Sequence, residues 1–147
     1  MSDASTLVYV LNGPNLNLLG TREPAIYGHD TLDDIAAMLD DRAHTLGLTV
    51  DLRQSNHEGH LIDWLHEAGS RGARAVILNA GALTHTSVAL YDAVKAVAVP
   101  VIEVHLSNPH TREEFRRTSW IAPVARATIA GLGPLGYALA LDAAATF

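Results

Sequence analysis

Apolar and polar positions along this chain follow two alternating patterns. Five short runs rich in aliphatic residues, Leu7–Leu11, Leu48–Leu52, Ala75–Leu78, Val101–Val104 and Thr128–Ala130, read as strands. Between them, longer stretches carry apolar residues at helical spacing: Thr31–Leu46, His60–Ser70, Ser87–Val97 and Leu135–Ala145. Thr31, followed by Asp33 and Asp34, has the chemistry of an N-cap with first-turn acids, and Gly47 that of a C-terminal glycine. Strands interleaved with helices predict an α/β chain: one doubly wound domain over residues 1–147, its five-stranded parallel sheet covered on both faces. Residues 1–5 are expected to form a disordered tail. In such sheets ligands gather beyond the carboxyl ends of the strands, at the switch in strand order.

Polar residues stand at those strand ends. The first strand is followed by Asn12-Gly13-Pro14-Asn15, the second by Gln54-Ser55-Asn56-His57-Glu58. Asn79 and then His85 follow the third, and His105-Leu106-Ser107-Asn108 the fourth. Residues 17–28, marked by Gly20, Pro24 and Gly28, read as a lid that carries Arg22 and, five residues on, Tyr27. A phenol with an ordinary pKa of ~10 is phenolate in roughly one molecule per thousand at pH 7. A neighbouring guanidinium favours the charged form, so the pair suits proton abstraction under a closing loop.

Glu103 and His105 end the fourth strand at positions i and i+2, which face the same side. A carboxylate beside an imidazole fixes its tautomer and keeps it protonated longer, as a general acid requires. The alternative is a buried pair that only braces the strand. The Leu106 and Ser107 amides offer N–H groups to a carboxylate, with arginines close by. If residues 111–117 are helical, Arg112 and Arg116 share a face while Glu113 and Arg117 pair on another. Thr84 or Thr86 is placed to cap the helix after His85. The cluster His57-Glu58-Gly59-His60, with His66, lacks the spacing of the H-E-x-x-H zinc motif, and no metal is expected. Gly131–Gly136 matches G-x-G-x-x-G but follows the last strand, where it reads as a tight turn into a helix.

Composition narrows the chemistry. The 147 residues are 48% hydrophobic, carry a formal net charge of −6 and include no cysteine. Disulfides and thiolate metal sites are excluded, and neither nucleic acid nor an anionic membrane is an expected partner. No apolar stretch reaches membrane-spanning length, and the polar N-terminus does not resemble a secretory signal, so the expected location is cytoplasmic. Of ten basic residues only Lys95 is a lysine, placed on a helix flank rather than at a strand end. A Schiff-base mechanism thus has one poorly placed candidate, whereas the arginines suit a small anion.

Five segments in order, L-N-G-P-N-L-N-L-L-G-T-R-E-P-A-I-Y-G, R-Q-S-N-H-E-G, I-L-N-A-G-A-L-T-H-T-S-V-A-L, I-E-V-H-L-S-N and R-E-E-F-R, resemble the type II 3-dehydroquinate dehydratases over about residues 7 to 141. The resemblance implies a flavodoxin-like fold and reversible anti elimination of water from 3-dehydroquinate, through an enolate, to 3-dehydroshikimate in the shikimate pathway. It also implies a homododecamer, a tetramer of trimers, with no cofactor. On that resemblance Tyr27 is the base, Arg22 lowers its pKa, and Asn15 holds a water at the enolate oxygen. His105, oriented by Glu103, protonates the departing hydroxyl near Asn79. Leu106 and Ser107 bind the substrate carboxylate through their amides, His85 and Arg116 bind ring hydroxyls, Asp92 comes from a neighbouring subunit, and Arg112 organises the closed lid. Leu18, His60, Trp120 and Arg126 depart from the family pattern without touching these roles. Two alternatives stay open on sequence: the same dehydration serving quinate breakdown, and a non-catalytic flavodoxin-like module that binds anions or nucleotides.

Overall fold

The computed structural model describes residues 5–21, 23–27 and 29–147, with the backbone alone described for Tyr27. Most of the expected N-terminal tail lies outside these residues. Ser5 is held: its Oγ accepts from the Leu7 amide at 3.1 Å and its carbonyl accepts from Arg74 Nε at 2.7 Å.

Five strands, β1 (Leu7–Asn12), β2 (Thr49–Gln54), β3 (Ala75–Asn79), β4 (Val101–His105) and β5 (Ala127–Ala130), form one parallel sheet in the order β2-β1-β3-β4-β5. The helices are α1 (Pro24–Tyr27), α2 (Leu32–Leu46), α3 (Glu58–Ser70), α4 (Val88–Ala96) and α5 (Leu135–Ala144). Because side chains alternate across a strand, the sheet feeds two cores. Val8, Val10, Ala75, Ile77, Ile102 and Val104 pack with Ile35 and Leu39 of α2 and with Tyr137 and Leu141 of α5. Tyr9, Leu11, Val76, Leu78 and Val101 pack with Leu61 and Leu65 of α3 and with Leu90 and Val94 of α4. This is the doubly wound arrangement that the alternating pattern predicts, in the flavodoxin-like form that the resemblance implies.

The element ends are set by local chemistry. Thr31 closes a capping box on α2: its Oγ1 accepts from the Asp34 amide at 3.1 Å, and Asp34 Oδ2 accepts from the Thr31 amide at 2.9 Å. Gly47, at φ 70°, ends that helix in the left-handed region. The cap of α4 is Ser87, not Thr84 or Thr86; its Oγ accepts from the Leu90 amide at 2.9 Å and donates to Glu58. Strands β1 to β4 run one or two residues past their apolar cores, so Asn12, Gln54, Asn79 and His105 belong to the ladder itself. Ladder hydrogen bonds need no apolar side chain, which is why hydropathy alone places those ends too early.

At the switch between β1 and β3, Gly13 donates its amide to the Asn79 carbonyl at 2.8 Å. A Cβ there would lie 2.3 Å from the Ala80 carbonyl oxygen, a backbone atom with no rotamer to yield. Gly13→Ala is expected to lose about 2 kcal/mol or more of stability. Urea titration checks this; an unchanged midpoint would mean the two loops separate freely.

Candidate active site

The carboxyl edge of the sheet opens into a cleft lined by residues from three loops. Pro14 and Asn15 come from the loop after β1, Asn79, Gly81 and His85 from the end of β3 and its 3₁₀ turn, and His105, Leu106, Ser107, Arg112 and Arg116 from β4 and the turns after it. Of the residues singled out on sequence, these gather in one place.

Glu103 is 1% exposed, so its charge must be met by protein donors. Its Oε2 accepts from His105 Nε2 at 2.7 Å and from Ser119 Oγ at 2.7 Å, and its Oε1 from Thr128 Oγ1 at 2.9 Å. Burial by itself would push this carboxyl up, but the hydrogen bonds from His105 and Ser119, the charge of His105 and the bond from Thr128 outweigh it. Glu103 is held below the usual carboxylate range. An ionised carboxylate only accepts, so Nε2 carries the ring proton and Nδ1 is the nitrogen left for proton exchange.

His85 is fixed in the same manner by a different partner. A backbone carbonyl also only accepts, so Nδ1 of His85 donates to the Thr118 oxygen at 2.7 Å and Nε2 is left as the acceptor of the neutral ring. Burial lowers the His85 pKa; the Thr118 bond opposes this, while the nearby His105 and Arg116 reinforce it.

Asn15 sits at φ 69°, a left-handed conformation that asparagine tolerates better than most residues. Asn56 Oδ1 accepts from the Asn15 amide at 3.0 Å and from Gln54 Nε2 at 3.1 Å, and the same Gln54 amide donates to the Gly13 carbonyl at 3.2 Å. The polar segment after β2 is therefore the brace of the loop after β1.

The arginines reach the cleft without the helix imagined for 111–117. Two 3₁₀ turns, Pro109–Thr111 and Glu114–Arg117, are separated by an extended Arg112 and by Glu113. Asn108 Oδ1 accepts from the His110 amide, which starts the first turn early. The expected Glu113–Arg117 pair gives way to Glu113 against Arg116 at 3.1 Å and Arg112 at 3.8 Å. Arg112 also donates to Ser107 Oγ at 3.2 Å. The glycine turn after β5 spends its amides on the same segment. Gly131 donates to the His105 and Ser107 carbonyls and Gly133 to the Leu106 carbonyl, at 3.3, 3.1 and 2.9 Å. Those bonds fix the 105–107 peptides and leave the motif a structural turn, not a phosphate cradle.

Three further site residues are expected from the sequence. Arg22 lies outside the described residues, as does the side chain of Tyr27, whose backbone ends α1. Ala25 and Ile26 of α1 line a groove shared with Leu106, Ser107 and Arg112, so this segment borders the cleft. Asp92 is exposed on α4 and does not line the cleft of its own chain. Lys95 is also exposed on α4, its Nζ 5.9 Å from the Tyr91 ring centroid, away from the cleft. His60 shares a 2.7 Å hydrogen bond between its Nδ1 and Ser55 Oγ, and its ring lies 4.9 Å from that of His57. Sequence reasoning missed Ser119 and Thr128. Only Thr128 left a signal, as the polar residue in a short strand, and the register sets it opposite Glu103.

A doubly wound sheet with a braced histidine, two asparagines and two arginines on its carboxyl edge suits a small anionic ligand rather than a dinucleotide. Residues 6–145 match the family model described as dehydroquinase class II. The chain is 63% identical over 142 residues to "3-dehydroquinate dehydratase 2" of Ralstonia nicotianae, covering 94% of this chain and 92% of that one. It is 63% identical over 139 residues to a 3-dehydroquinate dehydratase of Chelativorans sp., covering 94% and 95%. The crystal structure of the type II dehydroquinase from Propionibacterium acnes superposes with a TM-score of 0.94 at 45% identity, over 99% of this chain and 100% of that one. The chain belongs to the class II dehydroquinase family.

Glu103→Gln is expected to lower kcat by about 10²-fold, because an amide cannot accept all three donors or offset charge on His105. A carboxyl whose folded pKa is depressed stabilises the fold fully above its unfolded pKa and loses that contribution as pH falls through the folded value. From about pH 6 to about pH 3, wild-type urea midpoints should therefore fall more steeply than those of Glu103→Gln. Parallel curves would show that folding does not lower the Glu103 pKa, and a wild type that falls less steeply than the variant would show that the carboxyl is neutral in the native protein.

Proposed function

We propose that this chain dehydrates 3-dehydroquinate reversibly to 3-dehydroshikimate in the shikimate pathway, through an enolate and without a covalent tether to the protein. The observation that carries the reading is the Glu103–His105 pair. It places an imidazole with a fixed tautomer in an arginine-lined cleft, in a chain of this family whose one lysine stands outside that cleft.

In this reading Tyr27, its pKa lowered by Arg22, removes the proton from the carbon beside the ketone. Their spacing on the segment that borders the cleft supports the assignment. Asn15 holds a water at the enolate oxygen, and its braced left-handed turn gives that water a fixed partner. His105 delivers a proton from Nδ1 to the hydroxyl as the carbon–oxygen bond breaks, and Glu103 stabilises the charge on the ring beforehand. The peptides of Leu106 and Ser107 receive the substrate carboxylate beside Arg112, and His85 and Arg116 hold ring hydroxyls. The assembly is a homododecamer, a tetramer of trimers, in which Asp92, exposed on its own chain, completes a neighbour's cleft. The enzyme needs no metal or organic cofactor. Among the described residues no helix is long and apolar enough to cross a membrane, and a cytoplasmic location fits this chemistry.

Purified protein given 3-dehydroquinate should generate the ultraviolet absorbance of a conjugated enone, and Tyr27→Phe should lose ~10²–10⁴-fold in kcat. Absence of wild-type turnover where a control dehydratase works would reject the reading. Borohydride added during turnover should leave activity intact; an adduct on Lys95 would establish imine chemistry instead. Light scattering should give a mass twelve times that of the chain, and a stable, fully active monomer would remove Asp92 from the site.

A further inference from the structure

On the sheet face opposite Glu103, a buried tyrosine connects the cleft to the edge strand. Tyr137 of α5 is 0% exposed and is not among the cleft residues. Its hydroxyl donates to Asn12 Oδ1 at 2.6 Å and accepts from Asn79 Nδ2 at 2.9 Å. Asn12 and Asn79 are register partners at the ends of β1 and β3, two residues beyond Val10 and Ile77, so both face α5.

The direction of this chain of hydrogen bonds is set at both ends by backbone groups that cannot reverse. Asn12 Nδ2 donates to the Arg53 carbonyl at 3.1 Å, so Asn12 turns its oxygen to Tyr137. That oxygen has no proton, so the tyrosine hydroxyl must give its own and keeps only lone pairs for Asn79. Asn79 therefore offers Nδ2, and its Oδ1 accepts from the Gly81 amide at 3.3 Å. An inverted Asn79 would set oxygen against oxygen at Tyr137 and N–H against N–H at Gly81, leaving polar groups unpaired in the core. Burial pushes the Tyr137 phenol well above its ordinary range, opposed only weakly by the Asn79 bond, so the hydroxyl stays a donor at every working pH.

With one Nδ2 proton committed to Tyr137, the second remains for the cleft that Asn79 lines. We propose that Tyr137 is a positioning residue of the dehydration. It fixes the sense of the Asn79 amide, so that the cleft presents an N–H donor to the departing hydroxyl oxygen. In the opposite sense an amide oxygen would compete for the proton that His105 supplies. The proposal rests on the dehydratase reading and adds a residue that never touches substrate.

The test uses the full chain with 3-dehydroquinate. Tyr137→Phe should lower kcat by about 10- to 100-fold, the loss expected for one misdirected donor, with KM changed less than about threefold. Asn79→Ala should show a similar loss, and the double variant should be no slower than Asn79→Ala alone, because Tyr137 acts through Asn79. A Tyr137→Phe kcat within about twofold of wild type, or losses that multiply in the double variant, would overturn the proposal. If Tyr137→Phe does not fold, Asn79→Asp decides. A carboxylate presents only acceptors, so it should be slower than Asn79→Ala, and equal or faster turnover would overturn the proposal. Failure of the wild type itself would sink the dehydratase reading, which separates the two outcomes.

Discussion

A carboxylate sealed at the end of a central strand sets the terms for the rest of this site. Glu103 accepts three hydrogen bonds, and each donor ties down a different element: His105 on its own strand, Ser119 on the following loop, and Thr128 on the last strand. Ser119 Oγ also accepts from the Ile121 and Ala122 amides, which turns the loop back beneath the cleft. The course of that loop places the Thr118 carbonyl where it fixes His85. One buried charge thereby sets the tautomer of His105, anchors the loop whose Thr118 carbonyl sets that of His85, and helps hold β5 against β4. The donors are also what keep the carboxyl ionised, since burial alone would neutralise it.

The two faces of the sheet contribute different chemistry to the same edge. On the face covered by α3 and α4 lie the charged pair and the proton it governs. On the face covered by α5 lies a neutral chain of amides and a phenol whose polarity is fixed by backbone groups. Parallel strands make this possible, because all five release the chain on one side and the loops after β1, β3 and β4 meet there. The end of β2 and the loop after it take a supporting part, with Gln54 and Asn56 holding the left-handed turn at Asn15. The family's chemistry asks for a proton taken at one carbon and a hydroxyl lost at the next, and a cleft fed from both faces can serve both positions.

The architecture was legible in the chain because hydropathy periods of two and 3.6 depend only on local spacing. So were Thr31 and Gly47, whose roles are confined to one helix end. The site was legible where chemistry sits directly after a strand, as with Asn15, Asn79, His105 and Ser107. It was not legible where a partner arrives from far along the chain. Nothing local marks Tyr137 as the partner of Asn12 or Ser119 as a donor to Glu103, because those contacts exist only once the sheet has closed. The segment 111–117 misled for a local reason. Its charge pattern fits an i, i+4 helix, but the turn begun by Asn108 and Pro109 and the extended Arg112 break it into two short turns.

The most direct measurement is a crystal structure of the enzyme with a non-reactive cyclic hydroxycarboxylate analogue of the substrate. The account requires the ligand carboxylate at the Leu106 and Ser107 amides, the hydroxyl that departs within hydrogen-bond distance of His105 Nδ1 and Asn79 Nδ2, and the Tyr27 oxygen against the carbon that loses its proton. A ligand bound in the reverse sense, with its carboxylate at Asn15 and no hydroxyl near His105, would contradict it.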